Sequence, residues 1–274
     1  MIVLIRGLWK WFSNELTEID VESGALSRPG LPGAKALVVV VVSTLMLGLL
    51  SMGINDRDFR DLASNALFAW FGLGEGLSVN ETIHRQGFMS NLTWALGCVF
   101  CYLLVPALVV KFAFKERLAD YGWTTRGFRR HLPIYGLLFL PVGLLVIVMS
   151  YDPGFQETYP FYFAPESLLA LLIWEVAYGL QFLSLEFFFR GFMLHGLKHR
   201  YGHGAIWIML IPYVMIHFTK PPLEAAGAVI AGVVLAVLSL RTRSILGGVA
   251  IHASVAWMMD LMALWQRGVL QTLW

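Results

Sequence analysis

Apolar and polar positions alternate along this chain in long blocks rather than at the two-residue period of a strand. Seven blocks, at 36–53, 92–112, 132–149, 167–197, 205–218, 223–240 and 245–265, are almost free of charge. A helix of about 20 apolar residues crosses the roughly 30 Å hydrocarbon core of a bilayer. The pattern therefore predicts an all-α, polytopic transmembrane helical bundle of about seven to eight spans. The block at 205–218 is short for a span, and Pro106 is a candidate kink in the second one. Residues 63–77 are apolar but too short to cross, and read as an interfacial or re-entrant helix. Residues 1–16 place apolar and aromatic side chains at helical spacing around Arg6, Lys10 and Glu15, as an amphipathic helix on a membrane surface would. Arg6 and Lys10 break that stretch, so it does not read as a cleavable signal. SRPGLPG, at 27–33, reads as a linker. The organisation expected is an N-terminal segment and linker at 1–35, membrane helices at 36–150 and a functional membrane core at 151–274.

Composition agrees with this picture. Only 14% of residues are charged, against about a quarter in soluble domains, and mean hydropathy is +0.68. Disorder and a disulfide-stapled secreted scaffold are excluded. A net charge of +2 is too mild for nucleic-acid binding. Cys98 and Cys101 fall inside an apolar run and read as small apolar side chains rather than a redox or metal motif. Basic residues flank the spans unevenly: 115–131 is a basic loop, whereas 150–166 holds no Lys or Arg. The positive-inside rule then puts the N-terminus in the cytoplasm of a multi-pass cell-membrane protein. No internal repeat is visible, which argues against an inverted-repeat transporter.

An ionisable side chain at mid-membrane costs about 2.5–3.5 kcal/mol on insertion scales, so such residues mark cavities or partners. Here they gather in the C-terminal half: Glu175, Glu186, Arg190, His217 and His252, with Asp260 near a span end. Glu186 and Arg190 are spaced i,i+4 and share a helix face. Glu175, eleven residues before Glu186, returns to within about 20° of that face. The plainer reading is a buried pair that neutralises itself, although such a pair is costly to keep. Two histidines and a glutamate on three spans allow two chemistries. They could hold a catalytic zinc as His₂Glu, through Glu186, His217 and His252. Or they could activate a water directly as general base, one imidazole serving the oxyanion. No H-E-x-x-H motif is present, and no cofactor other than zinc is indicated.

These residues resemble the CAAX protease and bacteriocin-processing (Abi-type) family of intramembrane proteases. Its pattern is E-E-x-x-x-R, F-x-x-x-H and H-x-x-x-N on successive membrane helices. The chain offers LEFFFRGFMLHGL around Glu186 and Arg190, YVMIH ending at His217, and TRSILGGVAIHASVA around His252. The resemblance covers about 168–264 and implies an intramembrane endopeptidase acting on a peptide or protein at the membrane, among lipids. It implies that Glu186 is the second glutamate of the pair, Arg190 its brace, His217 a water-activating histidine and His252 the histidine beside the oxyanion. Tyr213 stands where the family has Phe. Leu185 stands at the first glutamate, which the family assigns as base, and Ala256 at the asparagine. Two expectations follow. Either Glu186 or Glu175 takes over as base, or the chain is an inactive member acting as membrane scaffold or immunity-type binding protein.

Overall fold

A computed structural model describes residues 2–24, 33–70, 79–125 and 128–273. Every regular element among them is helical. The chain opens with α1 (Ile2–Ser23). The amphipathic helix expected at 1–16 thus runs about two turns further. Next come α2 (Ala34–Leu49), α3 (Arg57–Trp70) and α4 (Val79–Val99). They are followed by α5 (Phe128–Met149), α6 (Pro153–Thr158) and α7 (Leu168–Glu186). The last three are α8 (Gly204–Met215), α9 (Pro222–Thr242) and α10 (Leu246–Gln266). Of the interfacial helix expected at 63–77, the part up to Trp70 belongs to α3; 71–77 and most of the 27–33 linker lie outside the described residues.

Among the described residues six helices are long and apolar enough to cross a membrane: Ala34–Ile54, Gln86–Ala113, Phe128–Met149, Leu168–Tyr201, Pro222–Thr242 and Leu246–Gln266. The seventh expected span, α8, has 12 residues and reaches only about 18 Å. The spans turn much apolar surface outward. In Phe128–Met149 only 17% of the apolar window is buried within the chain, and Leu137, Leu144 and Val148 are exposed. Such a surface suits lipid, which is as apolar as leucine, and the molecule is a multi-pass membrane protein.

Three spans depart from α geometry: the first ends in a π segment, Leu50–Ile54, and in the second the reason is visible in the sequence. After Val99 the second span widens into a π segment, Phe100–Leu104, returns to α at Val105–Leu108 and widens again at Val109–Ala113. Pro106 has no N–H to give the preceding turn, and the loosened turns lie on either side of it. After Glu186 the fourth span carries a nine-residue π segment, Phe187–His195, before closing as α-helix at Gly196–Tyr201.

The chain divides into two compact units. The first holds 1–43, 106–131 and 186–248. Its centre is the π segment Phe187–His195, wholly buried. Phe188 and Phe189 meet edge to face at 5.0 Å, and Phe114 stacks on Phe192 at 6.4 Å. Gly191 permits close approach by the loop at 118–122, since a Cβ there would stand 2.9 Å from the Tyr121 carbonyl oxygen. That loop is fixed on both sides. Tyr121 Oη donates to Glu116 at 2.6 Å, Lys35 Nζ reaches the same carboxylate at 2.6 Å, and Ile245 N donates to the Gly122 carbonyl at 3.0 Å. Helix α1 is held by charge. Arg241 reaches Glu15 at 2.8 Å, Glu18 at 2.6 Å and Glu22 at 3.3 Å, while Asp20 takes the backbone N–H and ring Nδ1 of His203, both at 2.8 Å.

The second unit holds 44–105, 132–185 and 249–274. Its core is aromatic. Trp174 stacks on Tyr178 at 5.2 Å, and Trp94, Phe161 and Tyr162 close around them. Buried Asp260 pins this cluster, accepting from Trp174 Nε1 at 3.0 Å and from Phe161 N at 3.3 Å. Trp257 Nε1 donates to the Glu175 carbonyl at 2.8 Å, and a Cβ at Gly179 would stand 2.7 Å from the same indole. Cys98 and Cys101 are buried free thiols.

Candidate functional site

Within the first unit the chain brings four of its singled-out residues together. Glu186 ends the α part of the fourth span and Arg190 follows one turn on, in the π segment. Both are fully buried, with Arg190 Nη1 3.0 Å from Glu186 Oε1. The expectation that they share a face is met. In such a pair out of water, removing one partner strands the other's charge.

Tyr213 carries the connection onward. The Arg190 guanidinium lies over its ring, 4.0 Å from the centroid, a cation–π contact in a buried setting. Phe189 meets the other side of that ring edge to face at 5.3 Å. The family's Phe has become a Tyr whose ring still packs, so the substitution is accommodated. Gly232 of α9 makes room for it: a Cβ there would press on Leu210 and stand 3.0 Å from Tyr213.

One turn further on is His217, half-buried just beyond the end of α8. Its Nδ1 donates to the Tyr213 carbonyl at 2.7 Å, one of the carbonyls a helix end leaves without a partner. The bond serves two ends. It caps α8, and it places the lone pair of the neutral ring on Nε2, the nitrogen able to accept a proton. A chain of contacts therefore runs from Glu186 through Arg190 and Tyr213 to His217.

The other oxygen of Glu186 is placed by a residue that sequence reasoning passed over. A Cβ at Gly248, in the first turn of α10, would fall on Glu186 Oε2. The carboxylate thus rests against backbone that only glycine leaves open. GGVAIH was in view as a motif; nothing in the sequence alone says which glycine faces which side chain.

His252, Glu175, Leu185 and Ala256 fall in the second unit. The half-buried His252 ring lies 5.8 Å from that of Phe182. Glu175 keeps both side-chain oxygens away from solvent with no hydrogen-bond partner among the described residues. Leu185, at the position of the family's first glutamate, is buried. Ala256, at the asparagine position, belongs to the core cluster of Trp174 and Tyr178, where a methyl group fits and an amide would need a partner. Among the described residues no group of three His, Cys, Asp or Glu side chains is arranged to hold a metal.

The helical bundle is that of an integral membrane protein, and its Glu186–Arg190–Tyr213–His217 linkage lies in the first unit. The family model described as type II CAAX prenyl endopeptidase Rce1-like matches residues 166–258, the stretch that contains Glu186, Arg190, Tyr213, His217 and His252. The resemblance carried by the motifs therefore holds over that stretch. No curated protein and no solved structure matches the chain.

Proposed function

We propose that the chain is an intramembrane endopeptidase of the CAAX type, in which Glu186 and His217 activate a water for attack on a peptide bond of a membrane-associated substrate. The observation that carries the reading is the buried Glu186–Arg190 pair joined through Tyr213 to His217 within the family-matched stretch. Glu186, with Arg190 beside its Oε1, takes a proton from water. The hydroxide attacks the scissile carbonyl carbon. His252 donates to the oxyanion as the tetrahedral intermediate forms. Collapse breaks the C–N bond, and the proton held by Glu186 or His217 passes to the leaving amine. Glu175 is the reserve base, and the protein sits in the cell membrane with its N-terminus in the cytoplasm.

The test is cleavage of a peptide carrying a prenylated cysteine near its carboxyl end by protein reconstituted in lipid. Glu186→Gln and His217→Ala each lower kcat by about 100-fold or more if these groups move the proton; His252→Ala acts chiefly on kcat as well. Full activity in all three variants sinks the mechanism. Glu175→Gln separates the two candidate bases.

A second reading has its own observation. Leu185 and Ala256 stand where the family has its base and its asparagine, and Ala256 is committed to an aromatic core. In that reading the chain is an inactive member that binds without cleaving. Wild-type protein that binds the peptide yet leaves it intact, at a level equal to Glu186→Gln, selects this reading.

A further inference from the structure

The first unit contains a cavity of about 750 Å³ that the proposed peptidase chemistry does not use. It opens among the ends of the spans. Lys35 is the second residue of Ala34–Ile54, Lys198 lies near the end of Leu168–Tyr201, and Arg243 directly follows Pro222–Thr242. Glu116, three residues past Gln86–Ala113, lines it too. The cavity therefore lies at the depth where a bilayer has its headgroups.

Its charges do not cancel. Three carboxylates line it, and each is already engaged: Glu116 by Lys35 and Tyr121, Asp120 by Arg117 at 2.9 Å, and Glu22 by Arg241 at 3.3 Å. Two cations remain with no carboxylate at ion-pair distance among the described residues. Lys198 feels Asp120 and Glu22 only at longer range, and its Nζ lies 2.9 Å from Nδ1 of the buried His195, whose Nε2 in turn lies 3.3 Å from Ser239 Oγ. Arg243 makes no hydrogen bond or ion pair among the described residues, and its backbone is left-handed at φ 53°. Glycine usually occupies such a helix-end position, so an arginine held there is a strained choice. The backbone is held in place: Ser244 Oγ donates to the Thr124 carbonyl at 2.7 Å and Ile245 N to the Gly122 carbonyl.

We infer that this cavity binds a phosphate group between Lys198 and Arg243, and that the phosphate is the headgroup of an anionic phospholipid. Two cations on separate helix ends, a rigid rim and a position at headgroup depth are what such recognition requires. The inference stands apart from the peptidase reading, since none of these residues belongs to the Glu186 centre.

The experiment titrates the purified full-length protein, in neutral detergent, with dioctanoyl phosphatidylglycerol, inorganic phosphate and dioctanoylglycerol, reading thermal unfolding by tryptophan fluorescence. Phosphatidylglycerol raises the melting temperature saturably, and dioctanoylglycerol does not. Arg243→Gln weakens the response about tenfold or more, whereas Arg243→Lys keeps most of it. Lys198→Gln behaves like Arg243→Gln; if loss of its contact to His195 unfolds it, the exposed Arg243 pair of variants carries the test. Inorganic phosphate that competes with the lipid at equal affinity supports the phosphate site and assigns it to the free ion. Equal response to dioctanoylglycerol, no response to either phosphate, or unchanged binding in Arg243→Gln overturns the inference.

Discussion

Gly248 and Glu186 show how a residue without a side chain can position one with a charge. The first fixes where Oε2 lies, and Arg190 fixes Oε1. Gly248→Ala forces the carboxylate to move or α10 to shift, and overpacking of this kind costs about 1–3 kcal/mol. The expected outcome is a lowered melting temperature with a disproportionate fall in kcat, measured on the same preparation. Gly248→Ala with wild-type kcat would remove Glu186 placement from the mechanism. Arg190 has a different vulnerability. Its loss strands a buried carboxylate at a cost of about 3–5 kcal/mol, so Arg190→Met is expected to unfold far more readily than the double variant Glu186→Gln with Arg190→Met.

The linkage between α2, the end of the second span and the loop at 118–122 rests on one carboxylate. Partial burial tends to raise the Glu116 pKa, but hydrogen bonds from Lys35 and Tyr121 outweigh it and hold the group below its ordinary 4.5. The same contacts, with burial first, push the Tyr121 phenol well above its ordinary value. Because the folded Glu116 pKa is depressed, its contribution to stability is complete above the unfolded value near 4.5 and drains away as pH falls through the lower folded value. Melting temperatures of wild type and Glu116→Gln are therefore expected to differ at pH 7 and to converge as pH falls below 4.5 and through the depressed folded value. A constant difference across that range counts against the linkage. Helical elements were legible because their cause is local: runs of Val and Leu without charge give spans whatever surrounds them. The π segment Phe187–His195 was not, since FFFRGFMLH has an α-compatible pattern and its widening arises from packing. The contact of Arg190 with Glu186 was readable from i,i+4 spacing, whereas Tyr213 between Arg190 and His217 needed two helices in place.

Across the molecule, what the sequence conveyed was class and kind: a multi-pass helical protein whose stretch at about 168–264 resembles CAAX proteases, and the family model matches most of that stretch, at 166–258. It conveyed less about the surface chemistry. Arg241 gathers three glutamates of α1, and Arg243, two residues on, lines a cavity. Each of those ion pairs is partly exposed and worth about 0–1 kcal/mol, so the docking of α1 depends on their sum and on salt. Arg241→Ala, or wild type in high salt, is expected to quicken amide exchange in 12–23 several-fold while leaving the spans unchanged; unchanged exchange in both would show that α1 is held by its apolar face instead.

The distribution of charge along α1 has one more consequence. Arg6 and Lys10 stand in its first half and Glu15, Glu18, Asp20 and Glu22 in its second, with no basic residue in the last turn. A helix dipole favours the reverse order, acids at the beginning and bases at the end. Left alone, this segment works against its own peptide dipoles. Arg241, borrowed from a distant stretch of chain, neutralises the crowded acidic end, and His203 hydrogen-bonds Asp20 there. Its helicity is thus conditional: the segment is ordered by what it touches, and would fray first wherever those two neighbours are withdrawn.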